Sequence, residues 1–164
     1  ADAITPLVPA LQSYWMQIHV PVMFVSYSAF AVSCGIAIVT LLKIRGEERG
    51  QTAGVLSQFP ESRRLEGVTY RAIAIGFPFL TLGIILGAVW ANEAWGGWWS
   101  WDPKETWSLI IWFIYAGFLH ARITHGWHGR RLAWFAVVGF LFTLFCYIGV
   151  NMFLSGLHSY GSLG

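Results

Sequence analysis

Two histidines near opposite ends of the chain, His19 and His158, and six tryptophans crowded into the eighteen residues Trp90–Trp107 stand out as chemistry-bearing side chains. The run reads WANEAWGGWWSWDPKETW, far more indole than the one or two rings a helix end uses to anchor at a lipid–water interface. Indoles offer large flat apolar area at low entropic cost, with an N–H that tolerates a wet edge. A planar, hydrophobic, partly charged ligand suits such a surface, and haem is the leading candidate. An exaggerated aromatic belt would use the same residues, and a lone interfacial histidine often serves only as a polar anchor. Two imidazoles flanking an indole-rich loop point instead to an axial pair on haem iron.

For these groups to meet, the chain must bring positions far apart in sequence to one side of a membrane. The 164 residues are 56% hydrophobic and 11% charged, less than half the charge of an ordinary soluble domain. Four segments are long and apolar enough to span about 30 Å of hydrocarbon: about 18–42, 72–91, 103–121 and 132–154. No long strand-like alternation competes with them, so the expected fold is an all-α integral membrane protein with four transmembrane helices. The net charge of +2 includes no basic cluster interleaved with aromatics, which excludes a nucleic-acid partner and leaves the bilayer as the evident one.

Lysine and arginine set the orientation. Nine of the ten basic residues lie in the 43–71 connection or the turn between the last two spans, and only Lys104 lies elsewhere. The positive-inside rule then makes 43–71 a cytoplasmic loop and puts both termini and the 92–102 loop on the outer side. His19 and His158 share that side with the tryptophans. The 43–71 loop, polar and rich in glycine and charge, reads as a solvated connection without chemistry.

Local signals fix the end of the tryptophan loop. Asp102 stands where a helix N-cap belongs, Pro103 suits the first helical position, and Glu105 completes a capping-box pattern. That capping role accounts for both carboxylates without acid catalysis. Gly96 and Gly97 offer close approach of backbone or ligand. Gly83 and Gly87 stand in GxxxG spacing for helix packing, and Pro78 is expected to kink its helix. Cys34 and Cys146 lie in apolar runs, not in a CxxC, and read as small buried hydrophobes.

His120 is expected about 25 Å down the third span, near the inner leaflet. Two readings stay open: a side chain snorkelling to the interface beside Arg122, or a second haem station whose other ligand is not evident. His125 and His128, in the inner turn THGWHGRR, read as solvated.

The tryptophan run, Leu119 and His120, and the ending GVNMFLSGLHSYG resemble the C-terminal part of the CcsA (ResC-like) family of System II cytochrome c biogenesis. The opening PLVPALQSYWMQIHV resembles that family's entry into its first outer histidine helix. The WWD core is shared with haem-handling proteins of another bacterial pathway, but DPKETW and LHSYG resemble CcsA more closely. The resemblance implies that His19 and His158 are the outer axial ligands of haem b and His120 the membrane-embedded histidine. It further implies that Trp95, Trp98, Trp99, Trp101 and Asp102 belong to the platform. A CcsB/ResB-like subunit and an apocytochrome c carrying CxxCH are the implied partners. Residues 1–164 then form one haem-handling domain in a bacterial inner membrane or a thylakoid, a piece of a longer protein with further N-terminal helices. The implied activity is that of part of a cytochrome c synthase: the haem vinyl groups are joined to the two thiols, and the CxxCH histidine displaces one outer ligand. A haem exporter or carrier without synthase activity and an electron-transferring cytochrome b are the alternatives. The latter usually keeps its axial histidines inside the bundle rather than at helix ends.

Overall fold

A computed structural model describes the backbone at residues 4–50 and 54–163, and side chains at 14, 15, 17–50 and 54–152. Four helices follow in order: α1 (Ile4–Glu48), α2 (Ser62–Trp95), α3 (Pro103–Thr124) and α4 (Gly129–Leu163), with one 3-10 turn at Val55–Gln58 between the first two. Each helix contains a stretch long and apolar enough to cross a membrane, and the described residues include no strand. The all-α membrane fold is as the hydropathy pattern requires.

The helices outrun the apolar segments. At 1.5 Å per residue the 34 residues of α2 reach roughly 51 Å, well beyond the hydrocarbon thickness. Hydropathy reports where lipid lies, whereas helical hydrogen bonding continues into water wherever side chains still pack. Leu65, Glu66 and Thr69 are all buried in the first turns of α2. The expected 43–71 loop therefore shrinks to residues 49–61, with Lys43 Nζ donating to Leu56 O at 2.9 Å across it. The tryptophan loop likewise shrinks from 92–102 to 96–102. Pro78 sits within α2, which continues through it.

Packing is densest between α1 and α2, which run antiparallel. Phe30 of α1 and Tyr115 of α3 are fully buried and stack with ring centroids 3.6 Å apart, 5° from parallel. Around them lie Ile73, Leu80, Phe118 and Leu132, while Phe24, Ile85, Phe113 and Phe145 face outward. Outward-facing hydrophobes are what lipid solvation selects. Polar side chains tie the helices where lipid offers no partner: Ser26 Oγ donates to Gly76 O at 2.9 Å, and Trp112 Nε1 to Thr81 Oγ1 at 2.9 Å. Cys34 and Cys146 are free and buried, as expected of small hydrophobes.

Gly76 is the tightest crossing against a rigid neighbour. A Cβ there would lie 2.8 Å from Phe30 Cε1, and the stacked ring has little freedom to yield. Gly76→Ala is expected to cost about 1–3 kcal/mol, typical of overpacking, and to lower the melting temperature measured in detergent.

Candidate functional site

The tryptophan loop is tied down at both ends. α2 closes at Trp95 on Gly96, which adopts the left-handed conformation (φ 79°) and donates its N–H to Asn92 O at 2.9 Å. That geometry is the reason for glycine at 96. A Cβ at Gly96 or Gly97 would meet nothing within 4 Å, so crowding within the chain demands neither. At the far end Asp102 Oδ1 accepts the Glu105 N–H at 2.7 Å, with Pro103 opening the helix, as the sequence requires.

Glu105 departs from a strict capping box. Its carboxylate reaches past the cap to accept the Ser100 N–H at 2.7 Å, and Thr106 Oγ1 donates to Trp101 O at 3.4 Å. Both contacts bind the loop to the first turn of α3. Asp102→Ala is expected to remove about 1 kcal/mol of helix stabilisation and to loosen the indoles behind it, a drop in melting temperature that calorimetry in detergent would register.

Between these anchors Trp95, Trp98 and Trp101 are 77%, 57% and 65% exposed. Trp101 is the one described non-glycine residue at positive φ, 59°. Left-handed backbone at a bulky residue costs on the order of 1–2 kcal/mol, and the ties from Ser100 and Thr106 hold it there. Trp99 meets Trp101 edge-on at 5.4 Å, and Trp90 meets Trp95 edge-on at 6.1 Å. Trp15, Trp90 and Trp99 each bury an indole N–H with no hydrogen-bond partner among the described residues. A dry donor without an acceptor costs about 1–3 kcal/mol.

His19 is a half-buried imidazole on α1, packed against α2 about two to three turns before that helix ends at Trp95. Its Nδ1 lies 3.0 Å from Gly83 O on α2. A carbonyl can only accept, so Nδ1 carries the proton and Nε2 keeps its lone pair. A ring nitrogen fixed by a backbone carbonyl is the usual second contact of a metal-ligating histidine. Gly87 lies under the ring, where a Cβ would sit 3.5 Å from His19 Cε1. The GxxxG pair thus splits its work: Gly83 admits Met23, and Gly87 seats the imidazole.

His158 lies outside the residues whose side chains are described, so no contact of it is assigned. His120 is exposed in the last turns of α3, at the opposite end of the bundle from His19, with its ring 5.0 Å from that of His125. His125 and His128 are exposed, as their turn sequence implies. Trp95, Trp98, Trp99, Trp101 and Asp102 lie at the end of α2 and in the loop that opens α3. His19 packs on α2 at Gly83 and Gly87, about two to three turns before that loop, and His120 lies at the opposite end of the bundle. Trp15 is the residue that sequence reasoning missed, although its spacing of four from His19 was a usable signal. The Gly83 carbonyl left no such signal.

Residues 2–158 match the family model described as cytochrome C assembly protein. The chain is 48% identical to the cytochrome c biogenesis protein CcsA of Guillardia theta, over 96% of this chain and 58% of that protein. It is 49% identical to the CcsA of Chlamydomonas reinhardtii over 96% of this chain and 43% of that protein. Against the CcsA of Synechococcus elongatus the identity is 46%, over 95% and 61%. The chain spans about half the length of these relatives. With nearly every residue from α1 to the end of α4 inside one family model, the chain belongs to the cytochrome c assembly protein family.

Proposed function

We propose that this chain holds haem b at its tryptophan end and presents it for thioether attachment to the CxxCH of apocytochrome c, as the haem-handling part of a cytochrome c synthase. The observation that carries this reading is the hydrogen bond from His19 Nδ1 to Gly83 O, which leaves Nε2 as a ligand atom in the half of the bundle that ends in the exposed indoles. The donor set suits haem: imidazole for iron, indole faces for the macrocycle, and buried indole N–H groups of Trp15, Trp90 and Trp99 for carboxylate oxygens.

In this reading His19 and His158 would hold the haem iron through their imidazole nitrogens. Trp95, Trp98, Trp99 and Trp101 form the shelf, and Asp102 caps the helix that carries it. Bound haem supplies two vinyl groups, across each of which a cysteine S–H adds, sulfur to one carbon and hydrogen to the other, with no leaving group. The chain contributes position. Fixing one reactant on a rigid shelf turns an encounter into an oriented approach, which supplies much of such a barrier.

The basic residues at the other end of the bundle, by the positive-inside rule, support a tryptophan end on the periplasmic side of a bacterial inner membrane or the lumenal side of a thylakoid. A CcsB/ResB-like subunit completes the synthase. His120, exposed on α3, is available to a second haem at the inner end, with its other ligand from outside this chain.

The test uses the full-length protein with its partner subunit, haem and a CxxCH apocytochrome. Covalent haem that survives denaturing electrophoresis and gives a c-type pyridine haemochrome is expected. Haem that stays bound yet never becomes covalent would identify a carrier instead.

A further inference from the structure

At the basic end, where α1 finishes, α2 starts and α3 turns into α4, the chain encloses an open cavity of about 770 Å³. Two of its carboxylates are satisfied: Glu48 pairs with Arg130, and Glu47 accepts both the N–H and the hydroxyl of Ser62 at 3.1 and 2.9 Å. Glu66 is not. It is 9% exposed, lines the cavity, and buries a carboxylate oxygen that has no partner among the described residues. Arg122 lines the same cavity with its Nε buried and unpartnered, its guanidinium lying 5.4 Å from the Tyr70 ring centroid.

A buried carboxylate oxygen on Glu66 and a buried Nε on Arg122, both without partners among the described residues, make this cavity wall costly unless something answers the two groups. The answering ligand needs an anion for Arg122 and a hydrogen-bond donor for Glu66. It must also be polar overall, because Ile44 is the single large apolar side chain in the wall and a macrocycle would find no face to lie on. Arg63 adds a further cation. Basic pockets between transmembrane helices at the cytoplasmic interface are sites for phospholipid headgroups.

We propose that this cavity binds a glycerophospholipid headgroup. The phosphodiester lies on Arg122 and Arg63, and a donor beyond the phosphate, an ethanolamine ammonium or a glycerol hydroxyl, lies on Glu66. The site shares no residue with the tryptophan end and is independent of the outer haem reading, although His120, the residue offered to an inner haem, lies at the same end of the bundle.

The test places the full-length protein in phosphatidylcholine nanodiscs doped with phosphatidylethanolamine and phosphatidylglycerol, and reads retained lipid by native mass spectrometry. Wild-type protein is expected to retain one donor-bearing lipid over phosphatidylcholine by about tenfold, the scale of one well-made polar contact. Glu66→Met is expected to abolish that preference, and Arg122→Met to abolish retention of all three lipids. Millimolar inorganic phosphate is expected to leave the lipid in place. Equal retention of phosphatidylcholine by the wild type overturns the proposal without reference to any variant. Displacement by inorganic phosphate also overturns it, by assigning the cavity to a free anion.

Discussion

His19→Gly is expected to lower haem affinity by at least about a hundredfold and to abolish most cytochrome c maturation, since even losing an outer-shell partner of a metal ligand costs 10–100-fold. The fold should survive. His19 is half-buried at the end of the bundle, and its loss removes one hydrogen bond to Gly83 O, worth about 1 kcal/mol. Added imidazole should restore haem binding without restoring that bond, which separates a ligand from a packing residue. His158→Gly is expected to behave alike if both histidines hold one iron. Maturation in cells carrying each variant, scored by covalent haem staining with and without imidazole, checks the pair. Full maturation in both variants would remove the axial assignment.

The second large effect concerns the indoles. Trp95, Trp98 and Trp101 are mostly exposed, so replacing all three with alanine should barely change the melting temperature. A ligand lying on them would cover on the order of 100 Å² of each, about 2.5 kcal/mol per ring at the usual area coefficient. Haem retention should therefore collapse while the fold stays intact. Trp101→Gly sharpens the contrast. Glycine accepts φ 59° freely, so this variant should gain about 1 kcal/mol in stability and still lose haem. Calorimetry and haem titration on the same samples check both directions at once. A merely structural tryptophan would show the reverse pattern, destabilised and still haem-loaded. Strain retained at a bulky exposed residue is what a binding surface leaves behind.

The four spans, the helix cap at Asp102 and the free, buried cysteines were legible in the sequence because each rests on a local or periodic rule. Helix ends were not. Hydropathy stops at Ala72, while α2 begins at Ser62 because Leu65, Glu66 and Thr69 pack against neighbouring segments. The candidate site divides the same way. Residue types and spacing singled out His19 and the WWD run, but the Gly83 carbonyl that sets the imidazole tautomer is a backbone atom 64 residues away. No residue-type pattern announces such a partner. Glu105 looked like half of a capping box and instead anchors Ser100, because the left-handed turn at Trp101 brings that N–H within reach. The polar wall around Glu66 and Arg122 needs three chain segments at once, and the polar 43–71 stretch hid it.

Family membership leaves the synthase, carrier and cytochrome b readings to be separated by ligation and transfer. The electron-transfer reading requires a reversible couple with quinone. The synthase reading requires iron held from both sides by imidazoles at the tryptophan end, one of which can yield to an incoming CxxCH histidine.

Low-temperature electron paramagnetic resonance of the ferric full-length protein tests that requirement most directly, comparing wild type with His19→Gly and His158→Gly. The account predicts a low-spin bis-imidazole signal in the wild type, its loss in each single variant, and its return when imidazole is added. An unchanged low-spin signal in both variants would contradict it.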